Sequence, residues 1–358
     1  MSSRCVSLPR FLRRGVPPAH RALGLAVPLV IASLAATARA DHTTGGVAGG
    51  AAGPINAVPA GTLPEGMWAM SLRFDLIDLN KRSNAQLQQL SAAGIDVHST
   101  DREDAATLSV AYGLHPDVTV GASVPYLALR NLREADGAGG IEHLGDVEGM
   151  GDLSLFGQVR VLNETMADDT GTMEVAVLGG LKLPIGADRE HVDGELLETE
   201  HQPSPHTIEP FAGVAATRSF DHASLTADAI YLKATQGTQR TNTGDVLKYD
   251  LAWGYRLSDE LKHEHIHEDG SVHMHGSADR QWDLVVELNG AWHESVDVDG
   301  DVDGNTGGNV VLLSPGVRLT TTNHMSWFAS YGVPVIDNVH GLEHKTDGQA
   351  VLGMSWAF

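Results

Sequence analysis

The 358-residue chain carries 24 Lys+Arg against 46 Asp+Glu, a net charge of −22, with 40 glycines and a single cysteine. That charge excludes nucleic acid as an expected partner. The lone Cys5 excludes a disulfide framework and a Cys-ligated metal.

Residues 1–40 hold six arginines (Arg4, Arg10, Arg13, Arg14, Arg21, Arg39), no acid, the apolar run Ala22 to Ala36, and Ala38-Arg39-Ala40 at the end. This is the pattern of a secretory signal peptide with an A-x-A cleavage site. Its removal takes Cys5 with it and leaves 18 basic against 46 acidic side chains, a net charge of −28. Past this leader nothing approaches the roughly 18 consecutive apolar residues of a membrane helix, so a membrane span would have to be a barrel. Residues 41–66 contain Gly45, Gly46, Gly49, Gly50 and Gly53 with Pro54, Pro59 and Pro64. Such a segment buries too little apolar surface to fold alone. A flexible stretch is expected, either hanging in the periplasm or entering a lumen as a plug.

From Met67 onward the dominant period is 2. Trp68, Met70, Leu72, Phe74 and Leu76 alternate with Ala69, Ser71, Arg73, Asp75 and Ile77. The same alternation sets Leu247, Tyr249, Leu251, Trp253 and Tyr255 against Lys248, Asp250 and Arg256, and Trp282, Leu284, Val286, Leu288 and Trp292 against Asp283, Glu287, Asn289 and His293. It closes the chain with Ala350, Leu352, Met354, Trp356 and Phe358 against Gln349, Val351, Gly353, Ser355 and Ala357. One greasy and one polar or small face, with aromatics at segment ends, is the signature of a strand between lipid and a polar interior. The pattern predicts an all-β fold over 67–358, an antiparallel transmembrane β-barrel of about twelve strands. They are expected at 67–79, 104–114, 117–129, 151–163, 173–185, 207–219, 223–234, 245–256, 281–293, 309–321, 325–335 and 347–358. Short turns alternate in phase with long loops at 80–103, 130–150, 186–206, 235–244, 294–308 and 336–346. A secreted β-sandwich also alternates but gives no reason for such asymmetry. Residues 84–93 could add one or two helical turns in the first long loop.

Taken by parity, the inward positions are Arg73, Asp75, Gln158, Arg160, Glu174, Lys182, Asp228, Lys248, Asp250, Arg256, Asp283, Glu287 and Arg318. Both signs occur, so these charges either pair across a narrow interior or line a selective pathway. Loops 130–150 and 186–206 are expected to control access.

Two loops carry ligand chemistry. His263, His265, His267, His273 and His275 put five imidazoles in thirteen residues, with Gly270 placed to turn a hairpin. Imidazole suits Zn, Cu or Ni, and a histidine tract needs no fold to bind them with low affinity. A flexible hairpin offers no fixed open position, which argues against a catalytic metal. Asp299, Asp301 and Asp303 begin a D-x-D-x-D-G calcium pattern, but Val310 stands where the bidentate glutamate belongs. No G-x-S-x-G elbow, H-E-x-x-H or P-loop appears, so no enzyme and no required cofactor is expected.

Several segments together resemble the outer-membrane "transporter" family named for the meta-pathway of phenol degradation. They are Ala60-Gly61-Thr62-Leu63-Pro64-Glu65-Gly66-Met67-Trp68, Ala111-Tyr112-Gly113-Leu114 with His115-Pro116-Asp117 and Val118-Thr119-Val120, Ser123-Val124-Pro125-Tyr126, Gly149-Met150-Gly151-Asp152-Leu153, and Leu181-Lys182-Leu183-Pro184-Ile185-Gly186. The resemblance implies an outer-membrane location and passage of small, aromatic or otherwise apolar, solutes down a gradient. Lipid, lipopolysaccharide beside the acidic external loop, and the barrel-assembly machinery, which recognises an aromatic end to the last strand such as Phe358, are the expected partners. The alternative expectation is a metal-binding outer-membrane protein that uses the periplasmic histidine loop, with the barrel as anchor.

Overall fold

A computed structural model describes residues 53–358, apart from 167–170, 193, 260, 262, 267–271 and 276. The expected leader, residues 41–52 and His267 lie outside the described residues. The barrel strands are β1 Trp68–Leu79, β2 Arg102–His115, β3 Val118–Asp136, β4 Leu153–Thr165, β5 Thr172–Leu183, β6 Glu209–Ser219, β7 Ala223–Leu232, β8 Val246–Arg256, β9 Arg280–His293, β10 Gly308–Thr321, β11 Met325–Val339 and β12 Thr346–Ala357. Each pairs antiparallel with its neighbours in sequence, and β1 pairs with β12 from Ala69↔Ala357 to Leu79↔Thr346, so the twelve strands close into a barrel.

The period-2 pattern sets which face is which. In β1, Arg73, Asp75 and Ile77 are buried while Leu72, Phe74 and Leu76 are exposed, and β12 repeats this with Val351 and Ser355 against Leu352 and Trp356. Exposed apolar residues on successive strands, among them Leu155, Leu181, Val214, Leu225, Leu251, Leu288 and Val317, form one continuous outer surface. Water would not tolerate so large an apolar patch, and closure removes every sheet edge, so the surface belongs in lipid. Aromatic pairs mark the short-turn rim: Trp68–Tyr112 with ring centroids 4.8 Å apart, Trp253–Tyr255 at 5.7 Å and Trp356–Phe358 at 4.5 Å. The protein is an outer-membrane β-barrel, and by the rule of short inner turns this rim is periplasmic.

Two strands outrun their expected ends. β3 continues from 129 to Asp136 and β11 from 335 to Val339, both on the long-loop side. Past Leu129 the β3 sequence is Arg130-Asn131-Leu132-Arg133-Glu134, which has no lipid-facing alternation because it stands above the membrane. There it pairs with Ile141–Met150 on one side and with Asp96–Ser99 on the other. The expected helical turns form α1, Asn84–Ala92, whose start is fixed by a capping box between Ser83 and Gln86. Leu87 of α1 packs on Val97 and Ala135, and Leu132 and Val147 pack on Leu197. The external loops thus share small apolar cores of their own and form a folded cap.

Candidate functional site

The sequence leaves the place of the Gly/Pro-rich segment open; residues 54–63 lie inside the barrel and are held there, so over this stretch the expectation of flexibility does not apply. Ile55, Asn56, Ala57, Val58, Ala60 and Leu63 are all buried. Traced back from β1, the segment leaves the periplasmic rim, where the Gly66 N–H donates to Gly113 O at 2.8 Å. The Leu63 N–H then donates to Thr119 Oγ1 at 2.8 Å, that of Ala60 to Thr217 Oγ1 at 3.0 Å, and that of Val58 to Asp228 Oδ1 at 2.7 Å. Gln158 Nε2 donates to the carbonyls of Pro59 and Gly61 at 2.9 and 3.0 Å.

At mid-height Glu287 takes three successive backbone amides. Oε1 accepts from Ile55 at 2.9 Å and Ala57 at 3.3 Å, and Oε2 accepts from the Asn56 amide at 3.0 Å and its side chain at 2.6 Å. Arg73 Nη1 and Nη2 donate to Ile55 O at 3.1 Å and Asn56 Oδ1 at 2.8 Å, and Arg318 donates to Pro54 O. A proline-rich segment cannot pair with a strand edge, so the wall must supply side-chain partners to its buried amides and carbonyls. The apolar side chains find partners too: Ile55 packs on Val285, Phe328 and Val351, and Val58, Ala60 and Leu63 join Phe156, Leu178 and Phe211. Gly316 makes room, since an added Cβ there would lie 2.6 Å from Ile55 Cδ1. Full burial of an isoleucine contributes about 1.5–3 kcal/mol, and a hydrogen bond to a charged group about the same. Both classes of contact therefore hold the segment.

The inward residues drafted from parity sit on the lumen side. Arg73 pairs with Asp75 at 2.7 Å, and Gln349 donates to Asp75 at 2.9 Å. Arg160 pairs with Glu174 at 2.5 Å and Asp117 at 2.9 Å near the periplasmic rim, and Lys182 pairs with Glu209 at 2.8 Å near the external one. Asn289 donates to Asp250, and Gln281 to Asp283, which with Glu287 and Arg318 is buried. Lys248 and Arg256 are partly buried on β8. Glu287, Asp228, Gln158, Arg73 and Arg318 hold the plug; most of the others pair along the wall. Above the plug a cavity is lined by the polar side chains of Asn56, Lys248, Asp250, Asn289, His293 and Gln349 and by the apolar ones of Ile77, Ala291, Val310 and Leu312.

The two loops singled out for ligand chemistry fare differently. In the histidine tract the backbone forms an antiparallel hairpin with His263↔His275 and His265↔His273 as facing positions. The aspartate loop is a tight hairpin of Asp297–Val298 with Asp301–Val302, in which Asp299 is committed to Arg240 at 2.6 and 2.7 Å. Among the described residues its three carboxylates are not gathered into a ligand cluster: Asp299 is held by Arg240, and Asp303 Oδ1 accepts the Asn305 amide.

Sequence reasoning missed one group of residues altogether. In the cap, His98 meets Glu198, Glu200 and His201, the last two on the 3-10 turn Thr199–His201. Burial holds the His98 imidazole down to about 3 and raises the Glu200 carboxyl well above the usual range, with neighbouring Glu198 adding to the latter. Glu198-Thr199-Glu200-His201 is the only local signal, and nothing in the sequence links it to His98.

No protein-family model and no curated protein matches the sequence. Among solved structures, the chain is similar to an outer membrane channel from Pseudomonas putida F1 over 85% of this chain and 100% of that one, with 13% identity and a TM-score of 0.53. It is also similar to the beta domain of the Bordetella autotransporter BrkA (12% identity, 82% and 99% covered, TM-score 0.40). A third likeness is to the translocator domain of the autotransporter NalP from Neisseria meningitidis (11% identity, 83% and 90% covered, TM-score 0.38). At such identities the first likeness is one of barrel fold, and the other two carry no argument.

Proposed function

We propose that the protein is a passive outer-membrane channel or transporter for small solutes, closed at rest by residues 54–63. The observation that carries this reading is the Glu287 cradle: a glutamate in the barrel wall spends its acceptors on three consecutive amides of a segment that crosses the lumen. A barrel that served only as an anchor would have no need of such a closure beneath a cavity. The cavity lining, with Lys248, Asp250 and Asn289, supports solutes that carry a polar group. The resemblance to the phenol meta-pathway family supports an aromatic ring as the rest of the molecule. Export by the leader, insertion by the barrel-assembly machinery and contact with lipopolysaccharide complete the reading.

The test is single-channel conductance in planar bilayers of the full-length protein and of a variant lacking residues 53–63. Rare steps from the first and sustained conductance from the second are expected. Silence from both, with barrels shown to be folded, would overturn the channel. A periplasmic metal-binding hairpin is a second reading, supported by the facing positions of four histidines. It requires low-affinity zinc, copper or nickel binding that vanishes when 263–275 is deleted.

A further inference from the structure

The cap holds a set of buried polar atoms that nothing in the described protein satisfies. His98 lies on the short strand Asp96–Ser99, where its neighbour Val97 packs on Leu87 and Ala135. By alternation His98 is turned the other way, toward the loop between β5 and β6. Its Nε2 lies 3.4 Å from Glu198 Oε2 and 3.9 Å from Glu200 Oε1, and its ring centroid is 4.1 Å from that of His201. Ligand atoms of all four residues lie within 4.8 Å of one another. Both ring nitrogens of His98, Nδ1 of His201, Oε2 of Glu198 and Oε1 of Glu200 are buried without a hydrogen-bond partner. The side chains of His98 and Glu200 are 1% and 3% exposed.

Glu200, 3% exposed, and Glu198, 31% exposed, bring two carboxyl groups together beside two buried imidazoles, and ionising the buried one there carries a desolvation cost. A cation held between the four groups offsets that cost and takes up one nitrogen of each imidazole. The chemistry of the donors selects it. Calcium and magnesium take oxygen ligands, whereas two imidazoles with two carboxylates suit a borderline first-row ion. Tetrahedral zinc, with bonds of about 2.0–2.1 Å, sets its ligand atoms roughly 3.3 Å apart, close to the His98–Glu198 separation.

We propose that His98, Glu198, Glu200 and His201 bind a divalent transition metal, zinc fitting best, in a closed four-ligand site. Four protein ligands leave no open position, so the ion is structural and not catalytic. It clasps the loop that carries α1 to the loop between β5 and β6, across the mouth of the barrel. The outer contacts fit the same assignment. Glu134 Oε2 lies 3.8 Å from His98 Nδ1, on the far side of the ring, where a carboxylate orients a metal-bound imidazole. Gln202, next to His201, fixes the loop backbone through the carbonyls of Glu190 and Leu197 and the amide of Glu190. The site does not depend on whether the barrel conducts.

The test uses the full-length barrel with His263, His265, His267, His273 and His275 replaced by alanine, so that the tract does not compete. After zinc loading and passage over a chelating resin, one zinc per barrel should remain. Cobalt in its place should give the intense visible bands of a tetrahedral site. His201→Ala should lose both, and Glu134→Gln should weaken zinc by about 10–100-fold. No retained metal, octahedral cobalt bands, or undiminished zinc in folded His201→Ala would each overturn the assignment and leave the two glutamates sharing a proton. Should His201→Ala fail to assemble, the cobalt spectrum of the parent barrel decides the matter alone.

Discussion

The Glu287 carboxylate accepts the backbone N–H of Ile55 at 2.9 Å, although 232 residues separate them in the chain. This contact fixes the N-terminal end of the plug to β9 at mid-height of the lumen. Glu287→Gln keeps the shape but removes the charge and half of the acceptor capacity. A charge-assisted hydrogen bond contributes about 1.5–3 kcal/mol, and each 1.4 kcal/mol is roughly tenfold in an equilibrium. Open probability in bilayers should rise about tenfold or more, with barrel assembly unchanged. An unaltered open probability would separate Glu287 from gating.

Ala60 and Thr217 offer the reverse manipulation. The Ala60 N–H lies 3.0 Å from Thr217 Oγ1, and Cys5, in the expected leader, is the sole cysteine. The Ala60→Cys, Thr217→Cys pair should form a disulfide that locks the segment in the lumen. Solute flux into proteoliposomes should fall to background under oxidation and return on reduction. Flux that ignores the redox state would show that solute passes without movement of the plug.

Leu352, 51% exposed at the middle of β12, reports on the lipid face. Leu352→Arg should cost about 2–4 kcal/mol near the bilayer midplane, read as a lower urea midpoint in lipid vesicles. The same substitution at Leu257, just past β8 on the periplasmic side, should cost well under half of that.

Ser83 tests whether the cap folds as a unit separate from the barrel. Ser83→Ala removes the capping box of α1 at a cost of about 1 kcal/mol. Amide exchange across Asn84–Ala92 should quicken about fivefold, while exchange in β1 and β12 stays the same. Equal acceleration in the barrel would mean that the cap and wall open together.

The strands and their faces were legible because lipid imposes a strict alternation: Phe74 outward and Asp75 inward follow from period 2 without knowledge of any neighbour. α1 was legible from Ser83 and Gln86, a local pair. β3 beyond Leu129 was not, since Arg130 to Glu134 stand in water, where either face of a strand can be polar. Nor can spacing alone tell that Asp299 will pair with Arg240 from a different loop.

The sequence by itself determined a twelve-strand barrel, its lipid face, the phase of its loops and the inward charges. Each of these depends on residues close along the chain, or on a solvent that treats every strand alike. Only the tertiary structure decided that Pro54 to Leu63 fill the lumen and that His98 meets Glu200. A proline-rich segment carries no periodicity to announce its partners, so its place is set by wall side chains such as Thr119, Asp228 and Glu287. The His98 group is assembled by the extension of β3, which lifts Asp96–Ser99 against a turn a hundred positions further on.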